Sequence, residues 1–349
     1  MVRIGVIGAG SIAQGSCSEF ADHPEAEIVA VAEPNAERAA EFTLRYDTVT
    51  QVVEEPERLL AIEEIDAVYI AVPNNLHAPL SALSLQAGKH VLQEKPLALS
   101  REDAEQTAAA AREADTHFML GMNQRFAPEV QRARQLMKAG RIGRAYHCKA
   151  FWRRRSGIPR IGSWFTRKEI SGGGGLLDIG VHMLDNALFL LDNFRPRSVS
   201  GATYTEFGNR GFGEGDWGMS ERASGQFDVD DFATAVIKLD GGATVLLEVA
   251  WAMHLDRSND MNVELYGTEG AIDTYGQRLC RQAADGYHVI QSPDAGELTY
   301  PHASRMHHFV NVILGREEPC VTLDQVLSVQ RVLDAIYRSA ATGREVILE

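Results

Sequence analysis

The sequence predicts an α/β protein in two parts: a doubly wound parallel sheet, then an α+β domain with a large, mostly antiparallel, open-faced sheet. Three observations carry that prediction. Short apolar runs alternate with helical patterns through the first third of the chain. A glycine-rich turn closes the first run, where a strand would hand over to a helix. After about residue 122 the runs lengthen, and turn signals such as DGG (240–242) and GTEG (267–270) separate them. At 349 residues the chain is too long for one ordinary core, and the break is placed between 1–121 and 122–349.

In the first part, VRIGVIG (2–8), EIVAVAE (27–33), DAVYIAV (66–72), KHVLQE (89–94) and THFMLGM (116–122) read as strands. Their near-continuous apolar character is that of parallel strands covered on both faces. The segments between them, SIAQGSCSEFADH, NAERAAEFTLRY, LHAPLSALSLQAG and SREDAEQTAAAAREA, read as helices, the last opened by a capping pair of Ser100 and Asp103. In the second part RAYHCKAFW (144–152), RSVSGATYTEF (197–207), FATAVIKL (232–239), ATVLLEVAW (243–251) and MNVELYG (261–267) are longer strands. A sheet that wide can pair its face with another subunit's, so a homodimer or homotetramer through it is expected. The glycine-rich loop at 209–225 receives no role.

The composition, 45% hydrophobic and 23% charged, is that of an ordinary globular chain. A net charge of −14 would be repelled by nucleic acid and by anionic membranes, so neither is an expected partner. Cys17, Cys148, Cys280 and Cys320 are scattered without zinc-type spacing and read as reduced thiols. The N-terminus makes a poor signal peptide and no apolar run is long and unbroken enough for a membrane helix, so the expected location is the cytoplasm.

GVIGAGSIA places Gly8, Gly10 and Ala13 directly after the first strand, in the pattern G-x-G-x-x-A of a Rossmann dinucleotide site. Gly8 allows the tight turn, Gly10 lets a pyrophosphate approach the backbone, and Ala13 permits close helix–sheet packing. Glu33 ends the second strand, where a carboxylate accepts from the ribose hydroxyls and repels a 2′-phosphate. NAD is therefore favoured over NADP, although Arg38 lies one helical turn further on. A purely local role for Glu33, at the start of the next helix, is the competing reading.

Three further stretches, AVPNNLHAP (71–79), QEKPLALS (93–100) and GGGGLLDIGVHMLD (172–185), join the glycine turn in order and spacing. Together they resemble the Gfo/Idh/MocA family, that of glucose–fructose oxidoreductase and inositol dehydrogenase. The resemblance covers the whole chain. It implies a two-domain NAD(P)-dependent oxidoreductase acting on a sugar or cyclitol, with its active site between the Rossmann domain and the open-faced sheet. By motif position it implies catalytic roles for Lys95, Asp178 and His182. It also implies a cofactor-binding set of Gly8, Gly10, Ser11, Ile12, Glu33, Pro73, Asn74, His77, Glu94 and Lys95. GMNQRFAPEV (121–130) resembles the family's crossover segment and brings Asn123 to the substrate, with Met122 where many relatives carry an aromatic residue.

The residues themselves point the same way. On a helix Asp178, His182 and Asp185 fall within roughly 60° of one another. The rest of that segment is apolar, and buried carboxylates and imidazoles are costly unless paired or used. The stripe therefore reads as facing a cleft. Oxidising a secondary alcohol requires orientation and proton handling, which Lys95 and His182 can share with Asp178 balancing charge. Which of Lys95 and His182 is the principal acid/base stays open, and Asp185 is as readily explained by an arginine partner. No additional Cys or His cluster completes a metal set, so no metal is expected.

FWRRRSGIPRIGSWFTRK (151–168) is rich in Arg and Trp, and on a strand Arg153 and Arg155 share one face while Arg154 takes the other. Arg153 and Trp164 are expected to line the substrate pocket with Lys95, Asn123, Asp178 and His182. A solvated basic rim is the alternative. Two rivals to a dehydrogenase remain: an NAD-dependent glycoside hydrolase on the same fold, and a non-catalytic Rossmann-type sensor of a sugar or the redox ratio.

Overall fold

The computed structural model describes residues 1–218, 222 and 225–348. Its first sheet holds β1 (Val2–Ile7), β2 (Ala26–Ala32), β3 (Gln51–Val53), β4 (Ala67–Ile70), β5 (His90–Gln93) and β6 (Phe118–Leu120). They pair in parallel in the order β3-β2-β1-β4-β5-β6. The order reverses between β1 and β4, which opens a crevice at their carboxyl ends. All four residues of β4 are buried, as a parallel strand under two layers of helix requires. β3 escaped the sequence reading because it is a short edge strand with Gln51 and Val52 exposed. The short helix Pro56–Leu60 that follows it was missed as well. Ser100 caps the helix Arg101–Glu113 by accepting from Asp103 N–H, as expected.

The second sheet holds β7 (Ala145–Arg154), β8 (Pro196–Tyr204), β9 (Phe232–Leu239), β10 (Thr244–Ala250), β11 (Asn259–Gly267), β12 (Gly270–Asp273), β13 (Arg278–Ala283), β14 (Gly286–Gln291) and β15 (Val346–Ile347). Their order is β14-β13-β12-β11-β7-β10-β9-β8-β15, and every pairing is antiparallel except β7 with β10. β12 to β14 form a polar ribbon whose last strand is almost wholly exposed, so no apolar alternation marked it.

One face of this sheet, with Cys148, Ala150, Ala235, Ile237, Leu247 and Val249, packs under the helices Val181–Leu191 and Leu323–Thr342. A single apolar cluster runs from Val2 and Val6 through Leu97 and Met122 to Leu176, Leu188 and Val249, which joins the two sheets' packing. By length and composition the helical run Lys168–Leu191 could cross a membrane, yet 83% of its most apolar window is buried in this core.

Candidate functional site

The glycine turn after β1 has the geometry of a phosphate cradle. Gly8 adopts φ +90°, and a Cβ there would lie 2.6 Å from the Ala71 carbonyl oxygen. Only glycine tolerates both demands. Gly10 precedes the helix Ser11–Ser16, and among the described residues no non-neighbouring atom lies within 4 Å of where its Cβ would stand. Ala13 is fully buried, while Ser11 and Ile12 are exposed on the lip of the turn. Glu33 accepts from Ala9 N–H at 2.8 Å and from Asn35 N–H at 3.0 Å, so it braces the turn as well as facing it. These residues fit a dinucleotide: open space above Gly10, backbone donors at the turn, and a carboxylate at the end of β2.

The loops after β4 and β5 are tied to their surroundings rather than left free. Pro73 opens the 3-10 turn Asn74–Leu76, and Asn74 Nδ2 donates to the Ser171 carbonyl at 2.8 Å, linking this loop to the chain just before the glycine run. His77 is 1% exposed, with ring nitrogens 2.8 Å from Pro96 O and 3.0 Å from Val72 O. Burial lowers its pKa. It braces the two loops from beneath and offers no surface to a cofactor, unlike the expectation from its motif. Glu94 likewise turns inward, accepting from Tyr69 Oη at 2.6 Å and pairing with Arg305. A buried carboxylate goes where its donors are, and these lie on the core side.

Lys95 follows Glu94 out of β5, and its Nζ donates to Asp178 Oδ1 at 2.8 Å and to the Asp178 carbonyl at 3.2 Å. Neither bond could be read from sequence, since 83 positions separate the partners. Asp178 lies in a π-helical turn, Leu176–Gly180, a widened geometry that recurs at functional sites. Its Oδ2 accepts from Trp251 Nε1 at 2.8 Å. Burial would push the Asp178 carboxyl up, but the Lys95 ammonium, with Arg154 and the Trp251 N–H, holds it below its ordinary value.

His182 is buried one turn later, with no hydrogen-bond partner for Nδ1 among the described residues. Burial first, and the Lys95 charge second, pull its pKa down to about 3. Lys95, Asp178 and His182 thus form one electrostatic cluster, as the motif implies. Trp251 was missed, although a fully buried tryptophan at a strand end needs a partner for its N–H, and that was a readable signal.

Asp185 does not join them. It takes a bidentate pair from Arg125 at 2.8 and 2.6 Å, and Arg125 Nη1 also donates to Cys320 O and Gln325 Oε1. The glycine run is packed tightly against the chain. A Cβ on Gly174 would meet the Asp230 carbonyl at 1.8 Å, and one on Gly173 the Tyr337 hydroxyl at 2.0 Å. Asp230 accepts from Gly174 and Leu176 N–H at 2.8 Å each, so close backbone approach secures the start of the helical run.

The basic segment divides by strand face. On β7 the even positions Cys148 and Ala150 point into the core, so Arg154 lies on the side of Trp152 and His182, and Arg153 on the open face. Arg153 pairs there with Glu248 at 3.0 Å and with Asp260. The structure therefore does not bring Arg153 to Lys95, and the register of Cys148 and Ala150 was the overlooked signal. Trp164 opens a 3-10 turn and stacks on Phe165 with centroids 3.7 Å apart, and Phe165 meets Trp217 edge-on at 5.7 Å. Asn123 is exposed at the first position of the turn Asn123–Phe126.

Among the described residues, one group of side chains could suggest a metal. His302, His308 and Glu317 place a possible ligand atom each within 4.8 Å of one another. Yet Ser304 N–H donates to His302 Nδ1 and Cys320 N–H to His308 Nε2, both at 3.0 Å. Each neutral ring then carries its proton on the nitrogen facing Glu317 and has no lone pair there for a cation. The cluster is a hydrogen-bonded packing element.

Comparison with known proteins agrees with this geometry. Residues 2–122 match the family described as "Oxidoreductase family, NAD-binding Rossmann fold" and 130–273 the "GFO/IDH/MocA C-terminal domain". The chain is 28% identical to D-glucoside 3-dehydrogenase of Escherichia coli K12, over 99% of this chain and 97% of that protein. It is 26% identical to inositol 2-dehydrogenase of Rhizobium meliloti 1021, over 99% and 98% respectively. Among solved structures, levoglucosan dehydrogenase with NADH and levoglucosan superimposes with a TM-score of 0.84 at 25% identity, covering 99% of each chain.

Proposed function

Because the chain belongs to the GFO/IDH/MocA oxidoreductase family, with an NAD-binding Rossmann fold, we infer that it is a dehydrogenase of polyhydroxylated rings. It moves hydride between the nicotinamide cofactor and a secondary alcohol or ketone of a sugar, sugar derivative or cyclitol. The glucoside, levoglucosan and inositol named for its relatives support that class. The observation that carries the reading is a pair of unspent groups in one cluster. Among the described residues, two of the three Lys95 ammonium protons are engaged by Asp178, leaving one donor, and His182 Nδ1 has no partner.

Bound NAD supplies the hydride acceptor. Lys95 directs its remaining N–H at the substrate oxygen and stabilises the alkoxide as it develops. His182, neutral because of burial, accepts the hydroxyl proton, and negative charge forming beside it raises its basicity as that proton arrives. Asp178, held by Trp251, keeps Lys95 in place. Ketone reduction runs the same transfers backward. Glu33 disfavours a 2′-phosphate and so selects NAD, and Asn123 and Trp164 border the substrate's approach.

The division into 1–121 and 122–349 assigns cofactor binding to the first part. The sheet face carrying Val236, Leu246, Phe151 and Tyr204 has no helix over it among the described residues, which suits a second copy in a homodimer or homotetramer. Four unpaired cysteines suit a reducing cytoplasm.

The test is a screen of cyclitols, aldoses, glucosides and ketosugars with NAD and NADP, following the reduced cofactor. Stoichiometric NADH from at least one ring alcohol is expected, whereas a redox-neutral hydrolase would release product without it. Intact NADH binding with no oxidation of any ring alcohol and no reduction of any ketone would count against the reading.

A further inference from the structure

Arg154 is the one arginine of the 153–155 cluster that points toward the catalytic side, and its environment is unlike that of its neighbour. Arg153 is neutralised by two carboxylates, Glu248 and Asp260. Arg154 has no hydrogen bond and no ion pair among the described residues, and its Nη1 is shut off from solvent without an acceptor. It is held by stacking. The guanidinium lies over the Trp152 ring at 4.5 Å and the Trp217 ring at 5.0 Å. The Trp217 indole is fixed by its own N–H, which donates to Gly157 O at 2.7 Å. Gly157 is needed there, since a Cβ would stand 2.4 Å from Arg154 Cδ. The side chain is thus held between two indoles, with its donors uncommitted among the described residues.

Charge counting sharpens the point. Lys95 is balanced by Asp178, and His182 is neutral, so among these described groups Arg154 is one positive charge in excess. Asp230 and Asp231, behind the same helix start, are already spent on backbone N–H groups. Burial disfavours the charged guanidinium, and the Asp178 carboxylate counteracts it. A desolvated cation without a partner is costly, so it is retained where a ligand completes it. A planar fork held by stacking matches a carboxylate, which it can bind through two parallel hydrogen bonds.

The geometry points to Arg154 as the specificity-determining residue of the cleft, selecting a ring substrate that carries a carboxylate, such as a hexuronate or its glycoside, over the matching neutral sugar. This rests on the dehydrogenase reading of the same site, but it can fail separately. The measurement is calorimetric titration of the NADH-loaded enzyme with a methyl hexuronide and with the methyl hexoside of identical stereochemistry. The expected result is at least about tenfold tighter binding of the hexuronide, as a charge-assisted contact provides. In Arg154→Met, which keeps the apolar stem between the indoles, that preference collapses toward unity. In Arg154→Lys, which keeps charge but loses the fork, part of it remains.

Equal affinity for the two sugars in the wild type overturns the assignment, as does failure to bind the hexuronide or a preference unchanged in Arg154→Met. If Arg154 steadied the reacting oxygen instead, Arg154→Met would lower kcat for both sugars by the same factor, which also overturns it. Discriminating binding without any NAD reduction would leave the anion site standing and remove the dehydrogenase reading.

Discussion

Two aspartates seven positions apart on one helical run, Asp178 and Asp185, each hold a cation from elsewhere in the chain, and the two pairs are built for opposite ends. Arg125 and Asp185 are closed. Their side chains are 0% and 1% exposed, both carboxylate oxygens are taken, and the outer guanidinium nitrogen is capped by a carbonyl and a glutamine. Lys95 and Asp178 are open. The Lys95 side chain is 19% exposed, its bond to the carboxylate is single, and one of its protons has no acceptor among the described residues. The closed pair buys conformational definition where helix and crossover turn meet. The open pair leaves one Lys95 N–H partly exposed and uncommitted by the described residues.

Substitutions can break that contrast. Lys95→Met is expected to lower kcat by about 100- to 10,000-fold, the range for losing a positioned proton-handling group. NADH affinity should stay within a few-fold, read by fluorescence titration, and near-normal turnover would refute the open pair's role. Arg125→Met should do the reverse. It leaves Asp185 buried without its cation, at a cost of about 3–5 kcal/mol in urea unfolding, while turnover per folded molecule changes little. A large fall in kcat with stability unchanged would show that the closed pair had been misjudged.

Trp251→Phe tests the support of the open pair at lower stakes. Losing the N–H to Asp178 Oδ2 should reduce kcat by about tenfold, equivalent to a hydrogen bond of ~1.4 kcal/mol, with KM for NAD unaffected. The smallest effect concerns pH. With the His182 pKa near 3, the free enzyme's imidazole is already neutral throughout the neutral range and gains its proton only in strong acid. The kcat/KM profile for oxidation should therefore show no His182 inflection around pH 6.5. An inflection there that disappears in His182→Gln would mean the imidazole titrates normally.

Legibility followed the range of the interactions. Asp178 and His182 could be singled out because an apolar helix with polar residues on one stripe is a local pattern. Their neighbour Asp185 looked the same by that pattern, and only Arg125, brought in across 60 positions, separates them. Glu94 and His77 belong to recognisable motifs, but their side chains turn toward donors and carbonyls that periodicity does not locate. Arg153 was placed in the pocket instead of Arg154 because alternation gives two faces without saying which is inner. The buried Cys148 and Ala150 were the clue.

By itself the sequence determined the strand–helix alternation, the glycine turn with its following carboxylate, and the motif positions of Lys95, Asp178 and His182, since each is written in neighbouring residues. Tertiary structure alone decided which carboxylate meets which cation, which arginine lies on the His182 side of its strand, and that Gly173 and Gly174 pack against Tyr337 and Asp230. Those outcomes depend on distant segments sharing one buried space, where an unpaired charge or a single added Cβ is costly enough to select the arrangement.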